Sequence, residues 1–125
     1  MALLTESLGD SPRPPVSARL REPWFSVEVF TVDTDTPMVV VRGEVDMITA
    51  SELAEVVSEV LETFPRRLVF DLYDVSLFGS AGVRVLEYAR RGLPAGCPVI
   101  LRRPQPLVRR VLEITGMNDL CVIED

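Results

Sequence analysis

Leu68-Val69-Phe70-Asp71-Leu72 is an apolar run, and Phe78-Gly79-Ser80-Ala81-Gly82 comes after it and opens a segment in which Val83, Leu86 and Ala89 are spaced for one helical face. A strand buried on both faces that hands over to a helix is the repeating unit of a parallel sheet. The handover lifts one hydroxyl, that of Ser80, onto the surface at a helix start. There the helix dipole and free N–H groups tolerate a negative charge.

Upstream, Phe25, Val27 and Val29 alternate as a strand, Asp33 to Pro37 reads as a turn, and Met38 to Arg42 is a second apolar strand, so this pair is expected to be antiparallel. From Thr49 the positions Leu53, Val56, Val57, Val60, Leu61 and Phe64 trace one helical stripe, with Thr49 and Glu52 at capping-box spacing and Pro65 as the stop. Downstream, the helix after Ser80 runs until Gly92 and Pro94, and Pro98 to Leu101 forms a buried strand. Pro104 to Ile114 is a third helix with Leu107, Val108, Val111 and Leu112 inward, Gly116 is its cap, and Leu120 to Ile123 is a last strand. This alternation predicts an α/β fold: a mixed, mostly parallel sheet with an N-terminal antiparallel strand pair, right-handed crossovers and helices packed on it. Functional loops are then expected at the C-terminal ends of the parallel strands, where Asp46 and Ser80 both fall. Residues 1–22 combine Pro12, Pro14 and Pro15 with Ser11, Ser17, Arg13 and Arg19, which reads as a flexible leader before one domain over 23–125.

Composition narrows the chemistry. The chain of 125 residues is 47% apolar, enough for one core. No apolar run approaches the roughly 18 residues of a membrane span, and no secretory signal is readable, so a cytoplasmic protein is expected. A net charge of −6 argues against nucleic acid or anionic lipid as the main partner. The chain has neither His nor Lys, which removes imidazole acid–base work, His-based metal sites, Schiff-base chemistry and the P-loop lysine. No cofactor, metal or enzymatic activity is therefore expected. Asp71 and Asp74, at the end of a buried strand, suggest a phospho-aspartate receiver, but that chemistry needs a lysine. Ser80 as a hydrolase nucleophile lacks both a histidine base and the Gly-x-Ser-x-Gly elbow. Cys97 and Cys121 read as two buried thiols or as a regulatory redox pair.

A second stretch, Gly43-Glu44-Val45-Asp46-Met47-Ile48-Thr49-Ala50-Ser51-Glu52-Leu53, leaves one strand and enters the amphipathic helix. Together the two stretches resemble the STAS domain of anti-sigma factor antagonists, through Gly43, Glu44, Asp46, Thr49, Ala50 and Leu53, then Ser80 and Gly82. The resemblance runs from about Trp24 to the C-terminus. Where that family has Asp before its phosphorylated serine this chain has Gly79, and where it has a second hydroxyl this chain has Ala81.

The resemblance implies a regulator that docks on an anti-sigma factor, itself a GHKL-type serine kinase, and so releases a sigma factor until phosphorylation of Ser80 ends the contact; a monomer is expected because the sequence shows no second apolar surface. Asp46, Gly79, Ser80, Ala81, Gly82, Val83 and Arg84 would form the partner-binding surface, with Glu44 and Asp74 adding negative charge nearby. Each has a plain structural alternative: a cap for Ser80 and Asp46, tight turns for the glycines, core packing for Val83, and a solvated surface cation for Arg84. The alternative function is a STAS scaffold that is never phosphorylated, acting in a regulatory or transport assembly.

Overall fold

The computed structural model describes residues 18–22, 25–33 and 35–125. Six strands form one sheet in the spatial order of the chain. β1 (Ala18–Glu22), β2 (Phe25–Asp33) and β3 (Thr36–Val45) are antiparallel neighbours, and β3, β4 (Leu68–Phe78), β5 (Val99–Arg102) and β6 (Val122–Glu124) run parallel. The crossovers are α1 (Met47–Leu61), α2 (Ser80–Gly92) and α3 (Pro106–Thr115) with a short α4 (Met117–Leu120). The α/β expectation with its N-terminal antiparallel strands holds. β1 lies inside the stretch read as leader and adds an edge strand to the antiparallel pair, while residues 1–17 of that leader fall outside the described residues.

Register decides what the sheet buries. Val27 pairs with Val41, Val29 with Val39, Val39 with Phe70, and Phe70 with Leu101, so one face carries a continuous apolar surface. These side chains share a single core with Leu53, Val56 and Val57 of α1, Val85 and Leu86 of α2, and Val108 and Leu112 of α3. The described helices therefore pack on that face. The opposite face shows a second cross-strand row, Phe30–Met38–Val69–Ile100–Val122. Val69 is buried in it, yet stands outside the main core. Beyond that row the same face is charged, and ion pairs link neighbouring strands: Arg42 reaches Glu28 at 2.7 Å and Asp74 at 3.5 Å, and Arg102 reaches Glu124 at 3.7 Å. Expected cover on both faces thus reduces, among the described residues, to helices on one.

Four local expectations change. α1 is capped by Asp46, not by a Thr49–Glu52 box: Thr49 sits three residues in and is the reciprocal partner of Asp46. Phe64 leaves the α1 stripe, because the residue before Pro65 is disfavoured in the helical region; it takes φ +54° and is 85% exposed. β4 continues six residues past Leu72, since β3 stays alongside to the Val45–Phe78 pair. Leu107 points outward because α3 starts at Pro106, which sets Val108 and Leu112 inward, and Leu120 belongs to α4, so β6 starts only at Val122.

The β3–β4 pair also aims the two helix starts. Register moves from Met38–Val69 to Arg42–Asp74 and then to Glu44–Leu77, so β4 gains one residue twice. Such bulges bend and twist a strand pair near its end. Gly43, at the second shift, has φ +105°, a conformation that side-chain-bearing residues rarely adopt.

Candidate functional site

The site grows from the C-terminal ends of β3 and β4. Val45 is the last residue of β3, and its carbonyl accepts the Gly79 N–H at 2.9 Å. That bond ties the start of α2 to the residue before Asp46, so the two helix N-termini stand side by side. Gly82 completes the join from inside: a Cβ placed there would lie 2.9 Å from both the Phe78 ring and Val45 Cγ1. Its lack of a side chain lets α2 close on the strand ends.

The two helix starts treat their free amides differently. At α1 the Asp46 carboxylate accepts from the Ile48 and Thr49 N–H groups, each at 2.9 Å, and Thr49 Oγ1 accepts the Asp46 N–H at 2.9 Å. The Thr49 hydroxyl in turn donates to the Glu44 carbonyl at 2.7 Å. The backbone N–H of Thr49 is the main cause holding the Asp46 carboxyl below its ordinary value, with the Thr49 hydroxyl and Ile48 N–H helping. At α2 the cap position is Gly79, which offers no side-chain acceptor. Ser80 is therefore the first helical residue and not the cap. It is exposed, and its hydroxyl has no hydrogen-bond partner among the described residues.

The remaining expected site residues divide by exposure. Arg84 is exposed one turn after Ser80, without an ion-pair partner among the described residues. Ala81 and Val83 are half-buried and lean on the core, Gly79 is half-buried, and Gly82 is buried. Arg42 engages Asp74 on the bare sheet face, and Glu44 is exposed beside the site. Three large apolar side chains not read as site residues stand here as well: Met47 is 81% exposed, Ile48 66% and Leu77 48%. Their signal was available, since Met47 and Ile48 fall before the apolar stripe of α1 and so have no core to enter.

Two side readings also find their places. Asp71 is buried, accepts the Tyr73 N–H at 3.0 Å and pairs with Arg103 at 2.8 Å, while the Arg103 guanidinium lies 4.6 Å from the Tyr73 ring centre. Its carboxylate fastens the β5–α3 loop and is not presented for modification as a receiver would require. Cys97 and Cys121 are both free thiols, the first half-buried and the second buried. The Ile100–Val122 pairing sets Cys121 level with Val99, two residues beyond Cys97. Burial pushes the Cys121 thiol up to about 11. Among the described residues no cluster of carboxylates or thiols is suited to hold a metal ion.

The chain is similar to known proteins. The chain is 39% identical over 78 residues to the anti-sigma-F factor antagonist RsfB of Mycobacterium tuberculosis, a match covering 62% of this chain and 64% of that protein, so it spans less than two thirds of that relative. The crystal structure of an anti-sigma factor antagonist from Mycobacterium paratuberculosis is similar with a TM-score of 0.75 at 28% identity, over 84% of this chain and 90% of that one. The anti-sigma factor antagonist SpoIIAA in its unphosphorylated form shares the fold, with a TM-score of 0.68 at 19% identity over 79% of this chain and 88% of its own. The family match, to the STAS domain, covers residues 29–125 and so takes in both helix starts as well as the parallel sheet beneath them: this protein belongs to the STAS domain family.

Proposed function

We propose that this chain is an anti-sigma factor antagonist: a monomeric cytoplasmic regulator that binds an anti-sigma factor of the GHKL serine-kinase type, frees a sigma factor, and is switched off by phosphorylation of Ser80. The observation that carries the reading is the placement of Ser80, exposed and unpartnered at the first position of a helix whose cap supplies no acceptor. A kinase active site can reach that hydroxyl, and the α2 amides favour the added anion. The names of the similar proteins supply the partner class.

The switch follows from charge. Phosphate adds about −1.5 to −2 charges to a surface that already holds Asp46 and Glu44 and must be desolvated on docking. An interface penalty of about 1 to 3 kcal/mol would weaken binding roughly tenfold to a hundredfold. Gly79 favours a second reading, a constitutive STAS scaffold, because no carboxylate precedes Ser80 to orient the hydroxyl.

One experiment separates the two. The purified chain and its Ser80→Glu variant serve as baits in the native cytosol, and captured proteins and the recovered bait are analysed by mass spectrometry. The antagonist reading expects a GHKL-type kinase on the wild type but not on the variant, with phosphate on Ser80. Equal capture by both, with Ser80 unmodified, would leave the scaffold.

A further inference from the structure

We infer that Met47 and Ile48 form the apolar anchor by which this chain holds the anti-sigma factor, seated in an apolar depression whose rim is cationic. The inference rests on the proposed antagonist function and adds the contact that gives docking its strength.

The fold has no use for these side chains where they stand. The first turn of a helix favours carboxylates, which meet the free N–H groups and the positive end of the dipole. The first turn of α1 has none, and its first two positions are Met47 and Ile48, 81% and 66% exposed. Ile is a weaker helix former than Glu or Ala, and neither residue reaches the core cluster. A chain selected for folding alone would place polar residues there.

They are not scattered singles: Met47 and Ile48 are consecutive and follow Asp46 directly at the end of β3, whereas Leu77, paired with Glu44, is exposed on the helix-free face of the sheet and stands apart from them. The Gly79 to Val45 hydrogen bond holds the two chain segments together. Two large apolar side chains, adjacent in sequence, thus stand exposed at the helix start that is tied to the start of α2. Exposed apolar side chains so grouped mark an interaction site, and central apolar anchors with a polar surround carry most of an interface's affinity. The surround here is acidic, from Glu44 and Asp46, which assigns the complementary rim its positive charge. The occupant is the anti-sigma factor because the Gly79–Val45 bond holds this pair at the helix start next to the one that bears the hydroxyl this partner must reach. The pair also explains why one phosphate suffices as a switch: it would bring strongly held water into a surface that has to dry.

The test is calorimetric titration of the full chain with the anti-sigma factor purified from the same cell, using three variants. Met47→Ser with Ile48→Ser is expected to weaken binding about thirtyfold while leaving the melting temperature unchanged. Leu107→Ser with Ile114→Ser, equally exposed apolar positions on α3, is expected to bind within about twofold of wild type. Binding of the Met47/Ile48 variant within about threefold of wild type would overturn the anchor, as would an equal loss in the α3 variant. Ser80→Glu binding like wild type, beside a weakened Met47/Ile48 variant, leaves the anchor standing and removes the switch. A wild type that binds no anti-sigma factor overturns both.

Discussion

Replacing Gly79 with Asp isolates the energetic difference between the two helix starts. The backbone at Gly79 already has the extended cap geometry, φ −84° and ψ −176°, close to the φ −117° and ψ −167° of Asp46, so the substitution needs no backbone change. Space is available too, since a Cβ there meets only the Val45 carbonyl oxygen at an ordinary 3.5 Å. The new carboxylate would accept from the Ala81 N–H as Asp46 does from Ile48. A side-chain cap contributes about 0.5 to 2 kcal/mol, and loss of glycine freedom in the unfolded chain adds about 0.4 to 1 kcal/mol. Repulsion from half-buried Asp46 and exposed Glu44 offsets part of this, less so in salt. A net gain of about 1 kcal/mol should raise the melting temperature by roughly 3 to 5 °C in a domain of this size. Thermal and urea unfolding by circular dichroism at physiological salt measure it, with Gly79→Ala as the control that removes glycine freedom without supplying an acceptor. Gly79→Asp no more stable than Gly79→Ala would refute the reasoning that the α2 amides lack a partner.

The same geometry sets further outcomes. Gly82→Ala should lose about 1 kcal/mol, because a Cβ 2.9 Å from buried Phe78 and Val45 overpacks by more than the helix propensity of Ala returns; a variant as stable as wild type in urea would contradict that packing. The carboxyls of Asp46, held down chiefly by the Thr49 amide, and Glu87, held down chiefly by Arg90, both have folded values below their unfolded ones. Their contribution is therefore complete above the unfolded value near about pH 4 and is lost as pH falls through the folded one. With no His in the chain, the urea midpoint should be level from about pH 5 to pH 8 and lower at about pH 3, and a rise on acidification would be wrong in sign. Cys97 should react with a thiol reagent at about pH 8 before Cys121, whose thiol burial pushes up to about 11; equal rates in the native state would contradict it.

The sheet was readable where apolar residues cluster and unreadable where pairing alone extends it. Leu68 to Leu72 declares a strand, but Tyr73, Asp74, Ser76 and Leu77 are exposed, and β4 persists through them only because β3 runs beside it. β1 shows the same limit: Ala18-Arg19-Leu20-Arg21-Glu22 has no apolar run, and its strand character comes from the edge of β2. The cap of α1 was ambiguous locally, since Asp46 and Thr49 are both good N-caps spaced three apart. What decides between them is the last β3–β4 pair at Val45, which makes the next residue the first free to turn. The Ser80 site was legible as residue types and spacing, and the exposure of Met47 and Ile48 could have been read from their place ahead of the α1 stripe, whereas that of Leu77 could not, because it depends on β4 continuing alongside β3.

Phosphate at Ser80 should disturb the partner and not the fold, and the contrast between the two helix starts says why. α1 has its anion built in as Asp46, whereas α2 begins with neither a cap acceptor nor an acidic residue in its first turn. A negative group at the first position of α2 supplies what that end lacks, so its local effect is stabilising by a few tenths of a kcal/mol or more, less the repulsion from nearby Asp46. Ser80→Glu is accordingly expected to melt no lower than wild type. If it also loses the anti-sigma factor, the loss belongs to the interface. If instead it melts several degrees lower, the α2 start is already satisfied in solution, and the open amides at Ser80 and Ala81 cease to account for a switch there.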